Sequence, residues 1–148
     1  MSLSNKSNIN PEIWGPYFWE TFHFVAFGYP ESPNETDKNA YKEFYEAFVK
    51  VLPCDKCSIS SQEYFEKSDI DSFLNSNQDL IKWTYNFHKK VNNKLNKNSP
   101  TFKEFVYNFK NRNNASSSTS IHIHVLILLI LLVLIGCLIF MRYTLDIL

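Results

Sequence analysis

Cys54 and Cys57 stand three positions apart, directly behind Pro53 and ahead of a helix-compatible run from Ser58 to Lys67. Pro53 ends whatever helix precedes it, so the two thiols fall at the start of a new one. There they can close a small disulfide, expose a thiolate, or supply half of a metal site. Unpaired N–H groups of a first helical turn and the neighbouring Lys56 favour ionised sulfur, while Asp55 opposes it. Cys54, nearest the helix end, is the sulfur expected to meet another protein. The remaining cysteine, Cys137, lies in an apolar tail, so the pair must act without a second cysteine pair in this chain.

The flanking segments read as helices. Trp14, Phe18, Phe22, Val25 and Tyr29 repeat at the spacing of one helix face, and Gly15, Trp19, His23 and Ala26 form a second face. Trp19 and His23, four apart, must be neighbours there. Tyr29-Pro30-Glu31-Ser32-Pro33 stops this helix, and Asn34 to Asp37 supplies caps for the next, about 38–52, which buries Tyr41, Phe44, Tyr45, Phe48 and Val49 or Leu52. A third helix, about 54–67, has Ile59, Tyr64 and Phe65 as its apolar side, and a short segment holds Phe73 and Leu74. A long helix over about 78–97 sets Leu80, Thr84, Phe87, Val91 and Leu95 along one stripe, with His88 and Asn92 beside it. Ser99-Pro100 breaks the chain before a last amphipathic helix carrying Phe102, Phe105, Val106 and Phe109. No stretch alternates with period two for long enough to argue a strand. The expected fold class is therefore all-α, a four-helix bundle plus a short fifth helix, followed by a C-terminal transmembrane helix.

Composition narrows the ligand. Twenty-two of the 24 aromatics lie within residues 1–112, enough bulk for one compact helical core. With three glycines in all and no Gly-rich phosphate loop, a nucleotide would have to be held by side chains and helix faces. Residues 1–71 carry twelve acidic and six basic side chains, net −6, whereas 72–112 carry two acidic and eight basic, net +6. A basic second half suits an anionic small ligand or an acidic partner surface. Its charges run along helices without aromatic interleaving, so no nucleic-acid partner is expected.

Residues 1–10 are polar and Asn-rich, are expected to be disordered, and show no secretory pattern. Residues 11–110 form the folded domain, 111–120 an Asn/Ser linker, 121–141 a membrane span and 142–148 a short tail. Fifteen of the nineteen residues from Ile123 to Met141 are Leu, Ile, Val or Phe, without a charge. Such a segment favours insertion by roughly 5 to 9 kcal/mol, less the cost of His124. Positive charge is heavier before it, at Lys103, Lys110 and Arg112, than after it, at Arg142. The folded domain is thus expected on the cytosolic side of a membrane, anchored by its C-terminus. Asn34-Glu35-Thr36 and Asn114-Ala115-Ser116 match the glycosylation pattern, and sugar on either would reverse that orientation.

A zinc centre needs four ligands, and although His23 and His88 could join the two cysteines, neither sits in a compact knuckle and a second Cys-x-x-Cys is absent. A thioredoxin-like unit needs strands that the pattern does not offer. A dithiol cycled in a reducing compartment needs an electron sink, because glutathione would otherwise keep it reduced. Trp14-Gly15-Pro16-Tyr17-Phe18-Trp19, then His23, Tyr29-Pro30, Pro53-Cys54-Asp55-Lys56-Cys57, Trp83, and His88 with Val91-Asn92 together resemble the Erv/ALR sulfhydryl oxidases, in the compact form found in large DNA viruses. The resemblance covers about residues 8–110.

It implies a helical bundle holding FAD beside the cysteine pair, usually as a homodimer, that oxidises protein dithiols and hands the electrons to dioxygen, releasing hydrogen peroxide. Cys54 and Cys57 would be the catalytic pair, with Cys57 against the flavin. Gly15, Trp19, His23 and Tyr29 would contact the cofactor from the first helix, Trp83 by stacking, and His88, Val91, Asn92, Leu95 and Lys97 from the fourth. Lys89 stands where the family has asparagine, and neither the shuttle disulfide nor the extra structural pair of cellular members is present. The implied partners are protein dithiols or a small thiol carrier, dioxygen and a membrane. A non-catalytic, membrane-anchored helical adaptor with a structural disulfide is the alternative reading.

Overall fold

The computed structural model describes residues 6–147, with side chains for all of these except 113–123, 138–140 and 143–147. Helix α1 spans Pro11–Phe27, α2 Glu35–Lys50, α3 Asp55–Glu66 and α4 Asn77–Lys94; a 3₁₀ turn covers Ile70–Phe73 and α5 runs Phe102–Ile147. Among the described residues there is no strand. Two compact units result, Met1–Phe102 and Lys103–Leu148.

Each helix of the first unit starts on a polar cap. Asn10 accepts from the Glu12 amide, with Pro11 fixing the first turn of α1. Asn34 and Asp37 exchange side-chain-to-backbone bonds of 3.0 and 2.9 Å, a capping box that stabilises α2 by about 1 kcal/mol. Ser76 accepts from the Asp79 amide at the head of α4. At α3 the cap is Cys54 itself, whose Sγ lies 3.3 Å from the Cys57 amide nitrogen.

Phe22, Tyr45 and Trp83 form the centre of the core, each almost wholly buried. Tyr45 meets Phe22 and Trp83 edge-on at 4.9 and 5.0 Å, and Phe22 lies along Trp83 at 5.6 Å. Their polar atoms are satisfied: the Tyr45 hydroxyl donates to the Phe22 carbonyl and Trp83 Nε1 to Ser68 Oγ. Asn77 ties the end of α1 to the start of α4, its amide donating to the carbonyls of Ala26, Phe27 and Tyr29 at 2.8–3.2 Å.

Three expectations change. Ile59 is 59% exposed rather than part of the apolar side of α3, because Ser58 and Ser61 turn inward instead. Ser58 fits there since its hydroxyl reaches the carbonyls that end α2, at Val49 and Lys50. Residues 6–10, expected to be disordered, run against the cysteine loop through bonds described below. The short helix from residue 102 and the later apolar helix are one element, with 111–120 helical between them; no proline or glycine occurs from 101 to 135 to break the ladder.

The expected span, 121–141, includes residues 121–123 and 138–140, whose side chains lie outside those described. Among the described residues no helix is long and apolar enough to cross a membrane. Val125 to Ile135, all apolar, are each about half exposed.

Candidate functional site: a disulfide beside an apolar cleft

Helices α1, α3 and α4 of the first unit border a cleft of about 800 Å³. Gly15 and Trp19 of α1 reach it, as do His88, Val91 and Asn92 of α4, and Leu95 and Lys97 just beyond. Leu95, at the end of the apolar stripe and expected to contact the cofactor, is 57% exposed, because the last turn of α4 runs past the core and forms the cleft's edge. Asn96 adopts φ 54°, which asparagine tolerates, and the Lys97 amide returns to the Asn92 carbonyl at 2.9 Å. That turn carries Lys97 onto the cleft.

Cys54 and Cys57 are joined as a disulfide with Cα atoms 5.2 Å apart. Cys57 borders the cleft, and Cys54, one turn earlier at the helix cap, does not. The loop holding them is fixed from outside by the N-terminal arm. Ile9 N donates to the Pro53 carbonyl at 2.9 Å, the Asp55 amide to Asn8 Oδ1 at 3.0 Å, and Lys6 Nζ to the Lys50 carbonyl. Trp14 Nε1 holds the arm down through the Ile9 carbonyl. Asn8 takes φ 48°, a conformation open to asparagine, so the composition that reads as disorder also permits this turn.

Also on the cleft, the His88 ring lies flat on Trp19, 3.9 Å between centroids and 5° between planes. His88 Nδ1 is 2.9 Å from Nε2 of the buried His23, and His23 Nδ1 is 3.2 Å from Thr84 Oγ1. Burial, and secondarily the positive Lys97, lower the His88 pKa from the usual 6.5 to about 4, so this imidazole is neutral at physiological pH.

The remaining expected residues fall elsewhere. His23 sits behind His88 rather than on the cleft. Tyr29 is buried with its hydroxyl on the Leu74 carbonyl, and Trp83 belongs to the core; neither lines the cleft. Lys89 lies over the Tyr85 ring, also off the lining. Among the described residues no three His, Cys, Asp or Glu side chains stand together as a metal site.

Several lining residues escape the sequence reading. Lys56 and Lys94 join Lys97 around the cleft, and Lys94 also bonds Ser60 and lies 5.7 Å over the Tyr64 ring. The surplus of positive charge after residue 71 signals Lys94 only in the aggregate. Phe18 and Phe48, at intermediate burial, face the cleft as well as each other.

The profile of the Erv1 / Alr family matches residues 16–114. A protein of Acanthamoeba polyphaga mimivirus, named probable FAD-linked sulfhydryl oxidase, is 39% identical over 99 residues, covering 66% of this chain and 69% of its own. The FAD-linked sulfhydryl oxidase of an African swine fever virus isolate is 33% identical over 92 residues, covering 62% and 76%. The crystal structure of the FAD binding domain of Erv1 from Saccharomyces cerevisiae superposes with a TM-score of 0.65 at 27% identity, covering 70% of this chain and 97% of that one. With a helical bundle of that shape and a Cys-x-x-Cys disulfide on its cleft, this chain belongs to the Erv1 / Alr family.

Proposed function

We propose that the chain is a FAD-linked sulfhydryl oxidase that places disulfides in client proteins, 2 R–SH + O₂ → R–S–S–R + H₂O₂. The observation that carries this reading is the division between the two sulfurs, Cys57 on the cleft and Cys54 off it. The residues present fit the cofactor. The walls are mostly apolar and aromatic, the Trp19–His88 pair is a flat stacked plate, and Lys56, Lys94 and Lys97 can offset a pyrophosphate. Gly15, with nothing within 4 Å of an added Cβ, leaves that part of the wall open.

A client thiolate attacks Cys54 Sγ, forming a mixed disulfide and releasing Cys57 as a thiolate on the cleft side. The client's second thiolate then attacks its own sulfur in the mixed disulfide. The client disulfide departs, and Cys54 and Cys57 are left carrying the electron pair. The Cys57 amide at 3.3 Å and the positive end of α3 stabilise negative charge on Cys54 Sγ as it leaves. Bound FAD supplies the remaining chemistry, accepting the two electrons and delivering them to dioxygen. His88, neutral and stacked, presents an uncharged wall, while the nearby lysines carry the cleft's positive charge.

The clients are protein dithiols, met directly or through a small thiol carrier. The enzyme acts as a homodimer on the cytosolic face of a host or virion membrane, anchored through the apolar part of α5. An apolar face at Ile13 and Tyr17 of α1, 65% and 72% exposed, favours the dimer, and the half-exposed run from Val125 to Ile135 favours the anchor.

The full chain, purified in detergent, is expected to be yellow and to consume oxygen when given a dithiol. Cys57→Ser is expected to keep the colour and lose turnover. A folded but colourless chain, or full turnover in Cys57→Ser, overturns the proposal.

A further inference from the structure

Thr84 is wholly buried in the middle of α4, and its hydroxyl is the far end of a chain of three polar side chains that terminates at the cleft. We propose that Thr84, acting through His23, fixes the tautomer of His88 so that the cleft meets this ring as a hydrogen-bond acceptor. In its consequence for the cofactor the proposal rests on the FAD reading above; the tautomer itself does not.

A threonine hydroxyl has one hydrogen. Here it is directed to the Ile81 carbonyl, 2.9 Å away and three residues back on the same helix. Thr84 Oγ1 therefore turns a lone pair towards His23 Nδ1 at 3.2 Å, and that contact is attractive only if Nδ1 carries a hydrogen. A neutral His23 protonated at Nδ1 has a bare Nε2, which lies 2.9 Å from His88 Nδ1. His88 Nδ1 must then be the donor. Its own Nε2 is left as a lone pair, on a ring whose face is covered by Trp19 and which borders the cleft.

The opposite polarity is chemically possible. If the Thr84 hydroxyl turned to donate to His23, every bond in the chain would reverse and His88 would show the cleft an N–H. Helix geometry favours the first arrangement, since back-bonding to a preceding carbonyl is a common resting place for a threonine hydroxyl in a helix. A doubly protonated His23 would also reverse the direction, at the cost of a charge in a site only 4% exposed.

The polarity has a consequence for binding. An acceptor nitrogen at His88 takes a hydroxyl or amino hydrogen and repels a phosphate oxygen. The anionic part of a dinucleotide is thereby directed to Lys56, Lys94 and Lys97, and its ribose or amino groups to His88. Thr84 touches no ligand and is a positioning residue.

The test uses the flavin-free full chain with ¹⁵N-labelled histidine, which contains only four such residues. Two-bond ¹H–¹⁵N spectra read the tautomer of each ring directly. His88 is expected as the Nδ1–H form in the wild type and in Thr84→Ser, and as a mixture or the reversed form in Thr84→Val. FAD affinity supplies a separate arm: Thr84→Val is expected to bind roughly tenfold more weakly, and Thr84→Ser within about twofold of wild type, the size of one displaced hydrogen bond. An Nε2–H tautomer at His88 in the wild type overturns the proposal, as does a tautomer that Thr84→Val leaves unmoved. A correct tautomer in a chain that takes up no FAD would refute the oxidase reading and leave the role of Thr84 standing.

Discussion

His88 makes the stability of the flavin-free protein sensitive to mild acid, and the size of the effect follows from its surroundings. Its folded pKa of about 4 lies below the ordinary 6.5, through burial first and Lys97 second. Protonation therefore favours the unfolded chain. The stability contributed by the neutral ring is fully present above the unfolded value and is lost as pH falls from 6.5 towards 4. Across the whole window the loss approaches about 3 kcal/mol, at 1.36 kcal/mol per unit. Most of it appears before the carboxylates begin to titrate: between about pH 7.5 and pH 5 the expected loss is about 2 kcal/mol. Urea unfolding at those two pH values measures it, with His88→Gln as the reference, because Gln cannot titrate. The variant should show a pH dependence flatter by about 2 kcal/mol over the same interval. Equal dependence in the two proteins would refute the reasoning, since it would mean that the neutral, stacked imidazole is not what the acid attacks. Bound FAD should shift both curves upward by mass action, so the comparison is made without it.

Two further outcomes follow from the packing. Trp83→Ala should lower unfolding free energy by about 3 to 5 kcal/mol, since it empties the centre of the core and leaves Ser68 without its indole partner; a loss below about 1 kcal/mol in urea titration would contradict that role. Asn8→Ala should free the Asp55 amide and speed its hydrogen exchange by roughly tenfold, and an unchanged rate would show that the N-terminal arm does not hold the cysteine loop.

The helices were legible because their signals are local. Asn34-x-x-Asp37 and Pro53 before the cysteines each mark a boundary within a residue or two of where it falls. The face carrying Trp19 and His23 could be read from spacing alone. What spacing cannot give is which side of a ring faces a neighbouring helix. Trp83 has the composition of a stacking platform, yet packing against Phe22 and Tyr45 turns it into the core, and Tyr29 is captured in the same way by the Leu74 carbonyl. Lys56 and Lys94 reach the cleft from different helices, so no window of sequence joins them. The docking of residues 6–10 depends on carbonyls and amides some 45 positions away, which have no side-chain signature.

The place of the disulfide also separates two kinds of change. Cys57 lines the cleft and Cys54, joined to it, does not. On the proposed reading the client would meet only Cys54, and the cofactor only Cys57. Residues around Cys54 are then at liberty to drift with whatever proteins need oxidising, while those around Cys57 answer to an unchanging molecule.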